Sequence, residues 1–295
     1  MGREAPLIPV PLAKFAVPVG TKSLAKPGSV GEPSYSNQDS PLAGLLIMNA
    51  DDWGRDHETT DQTLECIGHG SVSSVSAMVF MADSVRAAAI ARERGIDTGL
   101  HLNFTTPFSA PDCPPRLMEC QRELAKCLLR HRLSQVLFYP SLMRSFEYVV
   151  SAQNEEFCRL YGAPPGRFDG HHHMHLCANV LLGRLLPPGT VVRRNFSFQP
   201  GEKSFVNRLY RQVVDFVLAR RHRLVDYFFC LPPLDSPGRL ERIFELATAF
   251  VVEVETHSAC PDEYNFLMGD QILSLTTNVR LGAPTAISKR DTANA

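Results

Sequence analysis

Leu45-Leu46-Ile47-Met48-Asn49-Ala50-Asp51-Asp52-Trp53-Gly54 is the stretch on which the fold of this chain turns. A β-like, mostly apolar run passes directly into two adjacent carboxylates. Carboxylates beside a buried strand cost free energy unless they bind something. An aspartate can also cap a following helix, but Asp56 is better placed for that, ahead of a helical stretch that reaches Gly70. The Asp51-Asp52 pair is therefore read as a functional pair at a strand end.

Beyond this stretch, β-like runs alternate with helix-like stretches. Ser74 to Val79 is followed by an alanine-rich helix from Ser84 to Arg94, stopped by Gly95. Thr98 to Phe104 is a third run. A stretch broken by Pro107, Pro111, Pro114 and Pro115 then leads into helical material up to Leu160. Arg167 to Leu176 and Thr190 to Arg193 are the fourth and fifth runs, and a helix spans about Glu202 to Arg221. Leu224 to Cys230, a helix from Pro237 to Thr248, Phe250 to Glu255 and a last helix near Pro261 complete the series. Seven strand candidates separated by helices predict a parallel α/β structure. Repeated right-handed units of this kind either close into a barrel or form an open sheet, and periodicity does not choose. No GxGxxG follows the first strand and no GxxxxGK[ST] occurs, which sets aside dinucleotide and P-loop readings. No GxSxG elbow is present either.

The 295 residues suit one α/β domain of about 250 residues with tails. Residues 1–40 are rich in Pro, Gly and Ser and read as an irregular extension. The folded α/β domain is expected over 41–276, and 277–295 reads as a polar tail. The 30 basic and 31 acidic side chains leave a net charge of −1, which offers no basic footprint for nucleic acid. Arg193-Arg194 is a local run, and Arg220-Arg221-His222-Arg223 reads as a solvated helix end. The eight cysteines form no CxxC pair and read as reduced thiols. No run of about 18 apolar residues predicts a membrane span, and no signal-peptide core interrupts the reading of a cytoplasmic protein.

Unusual polar residues fall at strand ends, where parallel α/β folds carry their chemistry. His101 lies within Gly99-Leu100-His101-Leu102-Asn103. Phe168-Asp169-Gly170-His171-His172-His173-Met174-His175 holds four histidines. In an extended chain His171, His173 and His175 would share one face with Asp169, and His172 would point away. Such a cluster at an internal position signals metal binding. Val254-Glu255-Thr256-His257 adds another histidine at the last strand end. His57, His69, His131 and His222 sit in charged, helix-like surroundings and read as surface residues.

Together these segments resemble the YdjC-like carbohydrate deacetylases, which include chitooligosaccharide deacetylases and a hopanoid-biosynthesis deacetylase. Asn49-Ala50-Asp51-Asp52-Trp53-Gly54 is similar to the family's opening NADDFG-like motif, with Trp53 where Phe is usual. Gly70 to Met78, Gly99 to Thr105 and Phe168 to His175 follow in the family's order. Val254-Glu255-Thr256-His257 is similar to its late motif but continues Ser258-Ala259 where the family has Pro-Gly.

The resemblance covers residues 43–270 and implies a distorted (β/α) barrel of about seven parallel strands, TIM-barrel-like. It further implies one divalent metal, zinc or magnesium, an amino-sugar substrate, loss of an acetyl group by hydrolysis, and a homodimer. Asp52, His101 and His171 would be the metal ligands, Asp51 the general base and His257 the general acid. His173 would support a ligand from behind or substitute for one, and Asp169 would orient a histidine. His175 belongs to the same cluster. Trp53, Phe104, Phe108 and Arg193 are candidates to face a sugar, with Thr105 to Pro115 as a rim or lid. Two other readings stay open: a phosphoesterase with two or three metals, and a sugar-binding relative without activity.

Overall fold

All seven expected strands form. In the computed structural model, which describes residues 44–131, 133–197 and 204–284, they are β1 (Leu45–Trp53), β2 (Ser74–Ala77), β3 (Thr98–Leu102), β4 (Arg167–Gly170), β5 (Val191–Val192), β6 (Tyr227–Cys230) and β7 (Val251–Thr256). Every neighbouring pair is parallel, in the order β5-β4-β3-β2-β1-β7-β6. This is chain order wrapped so that the first strand meets the last. The one seam lies between β5 and β6, where a single parallel bridge joins Val191 to Arg223. The result is a distorted seven-stranded (β/α) barrel, similar in plan to a TIM barrel.

The strands are buried on both sides, as parallel strands under helices must be, and the two-residue period decides what lies on each side. Leu46, Met48 and Ala50 join the outer core beneath the helices, together with Val75, Leu100, Phe168, Val252 and Val254. Leu45 and Ile47 face inward and pack with Val225, Phe228 and Val251 as a small apolar floor. Above that floor the inward positions turn polar: Asn49, Asp51, Ser74, Ser76, His101, Arg167, Asp169, Glu253 and Glu255, all buried.

The helices are α1 (His57–His69), α2 (Ser84–Arg94), α3 (Pro115–Leu128), α4 (Met143–Tyr161), α5 (Ala178–Leu182), α6 (Phe205–Ala219), α7 (Arg239–Leu246), α8 (Pro261–Leu267) and α9 (Asp270–Thr276). Asp56 caps α1, accepting from the Thr59 N–H at 2.8 Å. That leaves Asp51 and Asp52 free of capping duty. Gly70 ends α1 in the left-handed conformation at φ 85°, which glycine adopts without steric penalty. No helix among the described residues is long and apolar enough to cross a membrane.

Three expectations change. The fourth strand does not run to Leu176: it ends at Gly170, and His171–Leu176 form a tight 3-10 stretch in which His172 and His173 take φ of 53° and 56°. The polar stretch after Thr277 does not leave the barrel at once. Leu46 donates to the Arg280 carbonyl at 2.9 Å and Gly282 donates to the Leu46 carbonyl at 3.0 Å, so this segment lies along β1. Residues 1–40 and the end of the tail lie outside the described residues.

Trp53 is the third change. It is completely buried in the outer core and cannot offer a face to a sugar; Phe104 and Phe108 are buried with it. Truncation of Trp53 to Ala should therefore destabilise the fold by about 3–5 kcal/mol. Urea unfolding measures this directly, and an unchanged midpoint would contradict the packing.

Candidate functional site

Asp51 and Asp52 are adjacent in β1, so alternation alone would send them to opposite faces. Asp51 points into the barrel. Asp52 escapes alternation by taking φ 65°, where the β1–β2 register shifts between Ala50 and Trp53. Such irregularities re-aim side chains next to functional sites, at a cost in backbone strain. Gly170 makes the next close approach: a Cβ there would lie 3.1 Å from both the His175 Cβ and the Leu102 carbonyl. The chain can therefore turn sharply after β4 and deliver His171 to the same rim.

Asp52, His101 and His171 converge, with one ligand atom from each lying within 4.8 Å of the others, all three buried. Asp52 Oδ1 stands 2.9 Å from His171 Nδ1 and 3.4 Å from His101 Nε2. Despite these approaches Oδ1 lacks an aligned hydrogen bond. A buried carboxylate oxygen facing two imidazole nitrogens, with no donor aligned on it, fits a shared cation. His101 Nδ1 meets Asp169 Oδ1 at 2.8 Å. That contact orients the ring and turns Nε2 toward the site, as carboxylates commonly do for ligating imidazoles.

Electrostatics point the same way. The barrel interior buries five carboxylates (Asp51, Asp52, Asp169, Glu253 and Glu255) against two guanidiniums, Arg167 and Arg193. A buried excess of negative charge favours a bound cation. Burial pushes the Asp52 carboxyl up, but its contacts with His101 and His171 prevail and hold it well below the usual carboxylate range. Burial pushes His101 down, and the Asp51 charge with the Asp169 and Asp52 contacts overrides it, raising the imidazole to about 10.

Asp51 is clamped. Arg193 grips it with both terminal nitrogens, at 2.7 and 2.8 Å, and Asn49 Nδ2 donates at 2.8 Å. Burial raises the Asp51 carboxyl, and the Arg193 and His101 charges bring it below its ordinary value. Its Oδ2 lies 3.9 Å from His101 Nε2. A second grouping, Asp51 with His101 and Asp169, shares His101, and its carboxylates are already engaged by Arg193 and Arg167.

The other expected residues fall into place differently. Arg193 is fully buried and paired with Asp51, Glu253 and Glu255, so it cannot reach a substrate. His175 is buried away from the rim, its Nε2 on the Arg193 carbonyl at 3.0 Å. His173 is half-buried, 3.5 Å from Glu255 and edge-on to Phe196. His172 is exposed, its ring tilted by 31° against that of His171 with the centroids 4.0 Å apart. The 3-10 turn thus splits the four histidines, and only His171 joins the Asp52–His101 pair.

His257, just past β7, is 41% exposed, with Nδ1 3.7 Å from Glu263 Oε1. Its backbone N–H donates to Glu263 Oε2 at 2.9 Å. Burial works against its charged form, but Glu263, Asp51 and Glu255 outweigh it and raise the imidazole to about 9. Ser258, where the family motif has proline, is buried and shares a 2.5 Å hydrogen bond with Thr63 of α1.

Arg167, Ser76, Glu253 and Glu255 escaped the sequence reading as parts of the site. Arg167 donates to Asn49 and Asp169, and Ser76 bonds Asp169 at 2.5 Å. Their signal was alternation: Val-Glu-Val-Glu in β7 and Arg-Phe-Asp in β4 place charges on every inward position.

Fold and site define a parallel (β/α)-barrel protein with a buried Asp-His-His group able to hold a metal ion. The sequence profile described as YdjC-like protein matches residues 45–280, and the chain belongs to that family. A chitooligosaccharide deacetylase of Serratia marcescens is 36% identical over 139 residues, covering 45% of this chain and 51% of that protein. Another, from Proteus mirabilis (strain HI4320), is 31% identical over 139 residues, covering 47% and 53%. The chain spans about half the length of the curated relatives it matches. In fold it is similar to a solved Enterococcus faecalis V583 structure, described as that of a candidate cellobiose-phosphate cleavage protein. The TM-score is 0.60 at 17% identity, over 83% of this chain and 99% of that one.

The Asp169–His101 contact makes a testable statement. Asp169→Asn should weaken zinc binding by about 10–100-fold, the usual effect of losing such a partner, as read by calorimetric titration. Equal affinity would mean that Asp169 does not orient the ligand.

Proposed function

We propose that this protein is a metal-dependent N-deacetylase that hydrolyses the acetamido group of an N-acetylated amino sugar. One observation carries the reading: an ionised Asp51, fixed by Arg193, stands beside the convergent Asp52, His101 and His171. The likeness to relatives named chitooligosaccharide deacetylases supports this substrate class.

Asp52, His101 and His171 would hold one divalent ion. The two imidazoles suit zinc, and the carboxylate also admits magnesium. Such an ion supplies Lewis-acid polarisation of the acetyl carbonyl and acidifies water. Asp51 is the base: it takes a proton from the water whose oxygen bonds to the acetyl carbon. Because Arg193 keeps it anionic, it is ready at neutral pH. As the carbon–nitrogen bond breaks, the amine needs a proton. His257, raised to about 9, is cationic at neutral pH and donates it. Acetate and the free amine leave. His173, half-buried beside Glu255, and the exposed His172 are the residues of the histidine run that remain available to contact a sugar.

The two-metal phosphoesterase reading draws no support from the second carboxylate grouping, which shares His101 and is taken by arginines. The inactive-relative reading would be favoured by loss of a ligand or of the base, and Asp51, Asp52, His101 and His171 are all present in the chain.

The first test is acetate release from a panel of N-acetylglucosamine mono-, oligo- and lipid-linked compounds by zinc-loaded protein. Acetate is expected from at least one member and not from Asp51→Asn. Release of phosphate from phosphosugars, with no acetate from the panel, would overturn the proposal.

A second prediction concerns pH. An acid with a raised pKa acts while protonated, so the His257 contribution is present at neutral pH and lost as pH rises through about 9. His257→Gln should lower kcat by about 10²–10⁴-fold and remove the alkaline fall. A pH–rate profile in which the variant keeps that fall would assign the acid elsewhere.

A further inference from the structure

Helix α6 faces the wrong way for a barrel helix. Only Val214 and Leu218 are buried. The rest of its inward side is polar: Asp215 receives Arg194 and Asn195, and Arg211 donates to Asn207 and Asn195. At about 100° per residue, Phe205, Val206, Leu209, Val213, Phe216 and Val217 form one continuous outward stripe. All are exposed, Phe205 by 74%, Val206 by 75% and Phe216 by 65%. A helix with its polar side on the protein and its apolar side outward marks an interaction surface.

Charge identifies what covers it. Arg220 is exposed at the C-terminal end, with its guanidinium 5.7 Å from the Phe216 ring. Arg221 follows it, and Arg208 lies on the flank. Asp215, the one acidic residue of the helix, is neutralised by Arg194. An apolar stripe of Phe, Leu and Val edged by arginine is the pattern of helices that lie in a bilayer interface. The rim attracts anionic headgroups while the stripe enters the acyl region.

A second copy fits less well. Twofold pairing through this stripe would set Arg220 and Arg221 near the partner helix's N-terminus, which is itself positive. A helix of 15 residues is about 22 Å long and 10 Å wide. Pairing two such faces buries on the order of 500 Å², short of the ~1,200 Å² of a stable interface.

We propose that α6 is a membrane-surface helix that docks this protein on anionic lipid. The Arg221 carbonyl accepts from Gly189, ahead of β5, at 2.7 Å. The C-terminal end of α6 therefore sits at the amino ends of the strands. Its Phe205 end lies on the side of the Asp52–His101–His171 rim, so the bilayer runs along the barrel flank with the site at its edge. This docking does not depend on the reaction proposed above.

The test is co-sedimentation of the full chain with vesicles of equimolar phosphatidylglycerol and phosphatidylcholine, beside vesicles of phosphatidylcholine alone. The protein should pellet with the anionic vesicles and at least about tenfold less with the neutral ones. Val213→Asp/Phe216→Asp should lower the partition by at least about tenfold with circular dichroism unchanged. Arg220→Glu/Arg221→Glu, which leaves the stripe intact, should abolish the preference for anionic lipid. No pelleting with anionic vesicles would overturn the proposal. So would a dimer that fails to pellet and that Val213→Asp/Phe216→Asp dissociates, which would assign the stripe to a second copy.

Discussion

Everything inside this barrel leans on the guanidinium of Arg193. It comes from the residue after β5, a strand of two residues at the seam that only a single bridge crosses. A buried guanidinium must be compensated on every side, and a single missing partner leaves an uncompensated charge. Here the partners come from β1 (Asp51), β4 (Asp169) and β7 (Glu253 and Glu255), while its face lies over the Phe228 ring of β6 at 5.0 Å. The side chain therefore bridges four strands where the ladder of hydrogen bonds is interrupted. The same contact keeps Asp51 ionised. Closure of the fold and preparation of the site are one interaction.

The strands were legible because burial on both faces leaves little room for ambiguity. Leu45 to Ala50 admits no surface position, and seven such runs at helix-length intervals fix the class. Asp56 before α1 and the glycines after α1 and α2 punctuated the helices where capping chemistry requires them. The paired aspartates and His101 were legible as out-of-place polar residues. Arg167, Glu253 and Glu255 carried the same signal more faintly. Their significance lies in facing one another across the barrel, and that depends on register between strands distant in sequence.

The histidine run departs from period-two alternation for a local reason. A period-two face assumes extended backbone, and the chain leaves it at Gly170. His172 and His173 occupy left-handed conformations, which non-glycine side chains adopt only when surroundings compel them. No residue type announces that. Asp52 is the same case in β1: its φ of 65° gives two adjacent aspartates a common destination that alternation denies them. Arg193 and Trp53 are buried; a strand-end position does not say whether a side chain points out to solvent or back into the protein.

Helix α6 shows the same limit at a larger scale. Its periodicity gives an amphipathic helix, and convention turns the apolar side inward. What decides otherwise is the end of β5. Arg194 and Asn195 lie beneath the helix and need acceptors, and Asp215 satisfies both. Rotating the apolar stripe onto the barrel would bury those groups without partners, each at a cost of about 1–3 kcal/mol. Leaving the stripe in water forgoes roughly 1.5–3 kcal/mol for each large side chain. The observed orientation resolves this conflict for the polar groups and leaves the apolar term open. A surface that supplies the missing apolar contact is therefore what completes the packing of this helix.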